Sequence, residues 1–136
     1  MPIITPVSAA TVAPFTLNGA PVHGSPAVLV DCGTHRLLYT SGQVAPAGEN
    51  GRGDIETQVR AVLAQLRDLV TAAGGTMKDV AKLMAWARHR EDIAVYAEVR
   101  REYIPHAPAS TTVLAEFVDE DILIEVEAIA VLPGSS

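Results

Sequence analysis

The sequence predicts an α+β fold of two layers, two helices lying on one face of a single sheet. Three observations carry this. Only two segments place apolar residues at helical spacing. The other apolar runs are short, rich in β-formers and bounded by Gly, Pro or acidic turns. In chain order these segments read β-β-α-β-α-β-β, and 136 residues suffice for one domain with a substantial core and no more. The domain therefore spans residues 1–136.

Residues 1–27, rich in Pro, Ala, Thr and Gly, read as an extended N-terminal arm with turns. Val28 to Val30 and Arg36 to Ser41 are strands joined by the turn Asp31 to His35, a hairpin pattern. Gly42 to Asp54 is a Gly- and Pro-dense loop. Ile55 to Ala73 is the clearest helix: Ile55, Val59, Val62, Leu66, Leu69 and Ala73 share one face, Asp54 is placed to cap it, and Gly74-Gly75 ends it. Val80 to Ala87 is a strand, and Glu91 to Ile104 is the second helix, stopped by Pro105. Ser110 to Phe117 and Ile122 to Leu132 are strands joined by the acidic turn Val118 to Asp121, and the last residues form a frayed tail. With both helices on one face, the other face of an aliphatic sheet is left uncovered, which argues for contact between subunits.

Composition narrows the function. The chain is 49% hydrophobic with 4% aromatic residues, so its core is aliphatic. Its formal net charge of -6 argues against a nucleic-acid partner, because no stripe of Lys and Arg is available to neutralise phosphates. A single cysteine, Cys32, rules out an intrachain disulfide and a multi-thiolate metal site, and the four histidines are scattered, so no metal is expected. No basic-then-apolar leader opens the sequence and no apolar run is long enough to cross a membrane, so a cytoplasmic protein is expected. Motifs of serine hydrolases, dinucleotide folds and P-loops are absent.

The last strand carries the chemistry. A period of two puts Glu125 and Glu127 on one face, about 6.6 Å apart along the strand. Such a pair, partly desolvated, raises one pKa and creates a proton-transfer group; alternatively both are solvated or paired with neighbouring cations. Ser41-Gly42-Gln43 stands where a strand gives way to a loop. Its glycine either presents backbone to a ligand or simply ends the strand. Trp86 and Tyr39 read as packing residues, and Cys32 as structural.

The segments LLYTSGQV, the helix ending in AAGG, DVAKLMAWARHREDIAVYAEVRREY, PASTTV and ILIEVEAIAVL together resemble the Rid/YjgF family of reactive-intermediate deaminases, over about residues 36–132. The resemblance implies a chorismate-mutase-like fold, a homotrimer whose sheets line a central barrel, and small-molecule ligands bound in clefts between subunits. It further implies cofactor-free hydrolysis of enamines or imines to keto acids and ammonia. Glu125 matches the family's water-positioning glutamate, and Ser41, Gly42 and Gln43 match its cleft wall. Thr112 stands where many members have cysteine, Ala97 where deaminases often have asparagine, and Phe15 near the place of a pocket tyrosine.

Ser110 departs from the pattern, occupying the position of the arginine that clamps a substrate carboxylate. A hydroxyl cannot reproduce a bidentate guanidinium contact, which puts the usual 2-imino acids in doubt as substrates. The expectation is hydrolysis of another small enamine, imine or related unsaturated metabolite, with Glu125 positioning water and Ser110 and Thr112 shaping the cleft. The alternative is a trimer of the same family that binds a metabolite without catalysis; ribonuclease activity is disfavoured by charge.

Overall fold

The computed structural model describes residues 3–17 and 19–135. Met1, Pro2 and Asn18 of the expected arm and Ser136 of the expected tail lie outside the described residues. The strands are β1 (Ile3–Val7), β2 (Thr16–Leu17), β3 (Ala20–Pro21), β4 (Ala27–Asp31), β5 (His35–Thr40), β6 (Val80–Ala87), β7 (Ala109–Leu114) and β8 (Ile124–Pro133). The helices are α1 (Ile55–Ala72) and α2 (Asp92–Tyr103), and a 3-10 turn at Met77–Asp79 leads into β6. Six strands form one sheet in the order β1-β4-β5-β8-β6-β7, and β2 and β3 pair separately. Every neighbour in the large sheet is antiparallel except β6 and β7, which are parallel because α2 crosses between them.

The two-layer architecture is the predicted one. Val59, Val62, Leu63, Leu66, Leu69 and Val70 of α1 and Tyr96 and Val99 of α2 pack into one core with Leu38, Leu83, Ala85, Ile124, Val126 and Leu132 from the strands. Along β8, Ile124, Val126, Ala128, Ala130 and Leu132 are buried under the helices, while Glu125, Glu127, Ile129 and Val131 alternate onto the open face. Tyr39 and Ile129 stand opposite each other there, as do Leu37 and Val131.

The N-terminal arm departs from expectation. It is extended, but Ile3–Val7 adds a sixth strand to the sheet, with Ile4 opposite Val30 and Pro6 opposite Val28. Pairing with a strand more than twenty residues away has no local periodicity to announce it, and an edge position tolerates Pro6. The strand expected to run to Phe117 ends at Leu114, where Phe117 instead lies under the Arg88 guanidinium. Asp54 caps α1 as predicted, accepting from the Thr57 amide at 2.9 Å, and Gly74 follows the helix at φ +91°.

Candidate functional site

Glu125 lies mid-strand on β8, opposite Trp86 of β6, with Glu127 opposite Met84 on the same face. Its carboxylate is half-buried and accepts no hydrogen bond from the described residues. Burial first, and the like charge of Glu127 second, raise its pKa above the ordinary 4.5. Neither Glu125 nor Glu127 forms a salt bridge among the described residues.

Gly42 is what lets the carboxylate sit there. A Cβ at this position would overlap the Glu125 carboxylate, with its Cδ only 2.8 Å away. The glycine does more than end a strand; it makes room for the acid. Backbone bonds fix this approach: Gln43 N donates to Val126 O at 2.9 Å, and Val126 N to Gln43 O at 3.2 Å. The Gln43 side chain turns inward, where Gln65 of α1 donates to its Oε1 at 3.0 Å and to Val44 O at 3.1 Å. Ser41 is exposed, yet its amide and hydroxyl donate to Pro26 O and Ser25 O, tying the site to the end of the arm.

Residues that the sequence did not single out hold the floor of the site. Gln58 of α1 is fully buried and donates to Gly53 O (2.9 Å) and Asp121 O (2.8 Å), while its Oε1 accepts from the Leu123 amide (2.9 Å). Arg52 pairs with Asp119 at 2.8 Å and Asp121 at 2.9 Å and donates to Ala45 O. Together they clasp the loop after Gly42 to the turn that starts β8. An isolated Gln in an amphipathic helix gives no sequence signal for this role.

Ser110 and Thr112 are not beside Glu125 within the chain. Ser110 pairs with Leu83 and Thr112 with Ala85, both buried under the helices, whereas Glu125 pairs with Trp86. The two threonine and serine side chains therefore share the helical face, and Glu125 the open one. Arg100 of α2 donates from Nη1 to Ser110 Oγ at 2.8 Å. Two arginines at this end of the sheet are engaged elsewhere, Arg52 in its clasp and Arg88 donating to Ile122 O and Asp119 O, while Lys82 stands exposed on the open face opposite Ile129. His89 is exposed beyond the end of β6.

Residues 25–132 match the profile of the family described as endoribonuclease L-PSP, which comprises the YjgF/Rid proteins. The chain belongs to the YjgF/Rid family. A RutC family protein of Pyrococcus horikoshii is similar to this YjgF/Rid chain, 36% identical over 98 residues that cover 69% of this chain and 78% of the relative. The 3-aminoacrylate deaminase RutC of Acinetobacter baylyi is 33% identical over 99 residues, 69% of this chain and 78% of RutC. The crystal structure of E. coli TdcF with bound serine superposes with a TM-score of 0.73 at 26% identity, covering 93% of this chain and 98% of TdcF. The mixed α+β fold predicted from the sequence is thus that of the YjgF/Rid family. No helix among the described residues is long and apolar enough to cross a membrane.

Proposed function

We propose that this YjgF/Rid chain hydrolyses a small enamine or imine, releasing ammonia and leaving a carbonyl compound. An enamine first takes a proton on carbon and so becomes an iminium ion. Water then adds to the C=N carbon, and the C–N bond breaks as nitrogen leaves as ammonia. The observation that carries the reading is Glu125: a half-buried carboxylate that forms no salt bridge among the described residues, seated against Gly42. Ionised, it accepts a proton from the attacking water; protonated, it returns one to the departing nitrogen. No metal or organic cofactor is required for these transfers. The deaminase name of the RutC relative supports the same reaction class.

The assembly we propose is a homotrimer. The open face, with Tyr39, Ile129, Val131, Met84 and Trp86, is an apolar surface that the chain itself leaves uncovered. Ser110 and Thr112 face away from Glu125 in one chain, so a ligand cleft using all of them has to form between subunits. The sequence-based ground for setting 2-imino acids aside was a position 110 with no cation. In the fold, Arg100 brings a guanidinium to that hydroxyl.

Glu125→Gln tests the reaction. The amide keeps the side chain's size and loses the base, so turnover of an imine generated in situ, followed as the carbonyl product, falls by about 10²-fold or more. Full activity in the variant, or none in the parent with any enamine or imine, shifts the function to the second reading, a trimer that binds a metabolite without catalysis. The neutral hydroxyl of Ser110 and the methyl of Ala97, both departures from the deaminase pattern, are what favour that reading.

A further inference from the structure

The chain has one tryptophan, three tyrosines and two phenylalanines. Three of these rings carry an arginine of the chain: Tyr103 lies under Arg67, Phe117 under Arg88 and Tyr96 under Arg100. Trp86, the ring type that attracts a cation most strongly, carries none among the described residues. It is half-buried on the open face, and β6 sets it directly opposite Glu125 of β8. Residues so paired across antiparallel strands hold their Cβ atoms about 4.5–5.5 Å apart, so indole and carboxylate are neighbours. On its other side Trp86 meets Val113 of β7, an apolar side chain 38% exposed. Trp86 thus stands at the Glu125 end of the apolar surface, and a cleft that admits a ligand to Glu125 admits it to the indole as well.

The charges at this end of the face have one sign. β8 lies between β5 and β6, so Gly42, just past β5, closes one flank of the Glu125 carboxylate and the indole stands on the other. Neither flank supplies a cation. Glu127, two residues on, adds a second carboxylate to the same face. Lys82 also points to this face, but it stands opposite Ile129, four positions from Trp86 and about 13 Å away along β6, on the far side of Glu127. The face of an indole is itself electron-rich. Two carboxylates and a bare π-face therefore converge, and the occupant that complements all three is a cation flat enough to lie against the ring.

We propose that Trp86 and Glu125 together bind a small planar cation, so that an imine enters this site in its protonated, iminium form. The flat C=N group lies over the indole, and its N–H donates to the Glu125 carboxylate. A neutral imine gains only part of each contact, and an anion is repelled by Glu125 and Glu127. Water adds to an iminium carbon more readily than to a neutral imine, and Glu125, which need not first protonate the nitrogen, stays free to act as the base. The choice of an iminium rests on the hydrolysis proposed above. The binding itself is read with an unreactive amidinium, so the two proposals fail separately.

The test is a titration of the folded protein at pH 8 and constant ionic strength with acetamidinium, acetamide and acetate, the cationic, neutral and anionic versions of one flat shape. Trp86 is the chain's single tryptophan and gives one indole N–H signal in ¹H–¹⁵N NMR. Acetamidinium is expected to move that signal saturably, and acetamide and acetate at equal concentration to leave it in place. Followed on the Gly42 amide, Glu125→Gln is expected to weaken acetamidinium binding by about tenfold or more, and Trp86→Leu by about threefold or more. Trp86→Phe keeps a ring face and is expected to fall between Trp86→Leu and the parent, which guards against reading a folding defect as lost binding. An indole signal that acetamidinium does not move overturns the proposal and returns Trp86 to packing. So do equal responses to acetamidinium and acetamide, acetate binding tighter than acetamidinium, and a Trp86→Leu variant that binds like the parent. Saturable acetamidinium binding in a protein that hydrolyses no imine overturns the proposed reaction and leaves the cation site standing.

Discussion

A half-buried carboxylate with no cation beside it costs the fold free energy whenever it is ionised, and this places Glu125 at the boundary between stability and chemistry. Its folded-state pKa lies above the unfolded value, raised by burial and then by Glu127. Below the ordinary carboxylate range both states are protonated and the residue costs nothing. As pH rises through the raised pKa the native state ionises against its surroundings, and stability is lost. Glu125→Gln removes that loss. Its denaturation midpoint is therefore expected above the parent's at pH 8 and to converge with it as pH falls to 4, by urea unfolding at a series of pH values. A variant less stable than the parent at pH 8 would mean that the carboxylate is favourably solvated or paired. The same sign governs the proposed hydrolysis, in which Glu125 would act as the ionised base: the acid limb of kcat/KM is expected above 4.5.

At the scale of elements, the site depends on how β8 is started. Gln58 is the buried group that ties α1 to the loop at Gly53, to Asp121 and to the Leu123 amide, two residues before Glu125. Gln58→Leu keeps the volume but leaves two carbonyls and one amide without their partner, at about 1–3 kcal/mol for each that water cannot reach. A destabilisation of about 3 kcal/mol is expected in chemical denaturation, and a loss below about 0.5 kcal/mol would show the network to be dispensable. The helices and central strands were legible because each buries one face, so Leu66 or Val126 announces its neighbours by spacing alone. β1 was hidden because its partner is far away in sequence and its residues lack alternation. The alternation of the last strand placed Glu125 and Glu127 together on one face, and the family resemblance alone set Glu125 apart. That Gly42 makes room for it, and that Arg100 reaches Ser110, could not, because both contacts join segments whose approach is set only by the folded sheet.

At the scale of the molecule, the sheet has one face sealed by helices and one face left open, and the open face holds both apolar surface and the Glu125 carboxylate. Tyr39 is 41% exposed and Val131 44%, neighbours across the β5–β8 pair rather than scattered side chains. A contiguous patch of this kind on a small chain is the signature of a subunit contact. The proposed ring of three would close this face between neighbouring subunits. Light scattering at micromolar concentration is therefore expected to give a mass about three times 14.3 kDa. Val131→Glu adds a carboxylate to a face that already carries Glu125, Glu127 and, opposite Ile129, Lys82, and a further charge buried in an interface costs several kcal/mol, enough to drive the chains apart. The variant is expected to run as a monomer with unchanged far-ultraviolet circular dichroism, since Val131 contributes nothing to the helical core. It is also expected to lose turnover, because Ser110 and Glu125 face opposite sides of one chain and only a neighbour can complete the cleft. A parent protein that runs as a monomer or dimer would remove the trimer. A monomeric variant with full activity would place the whole site within a single chain.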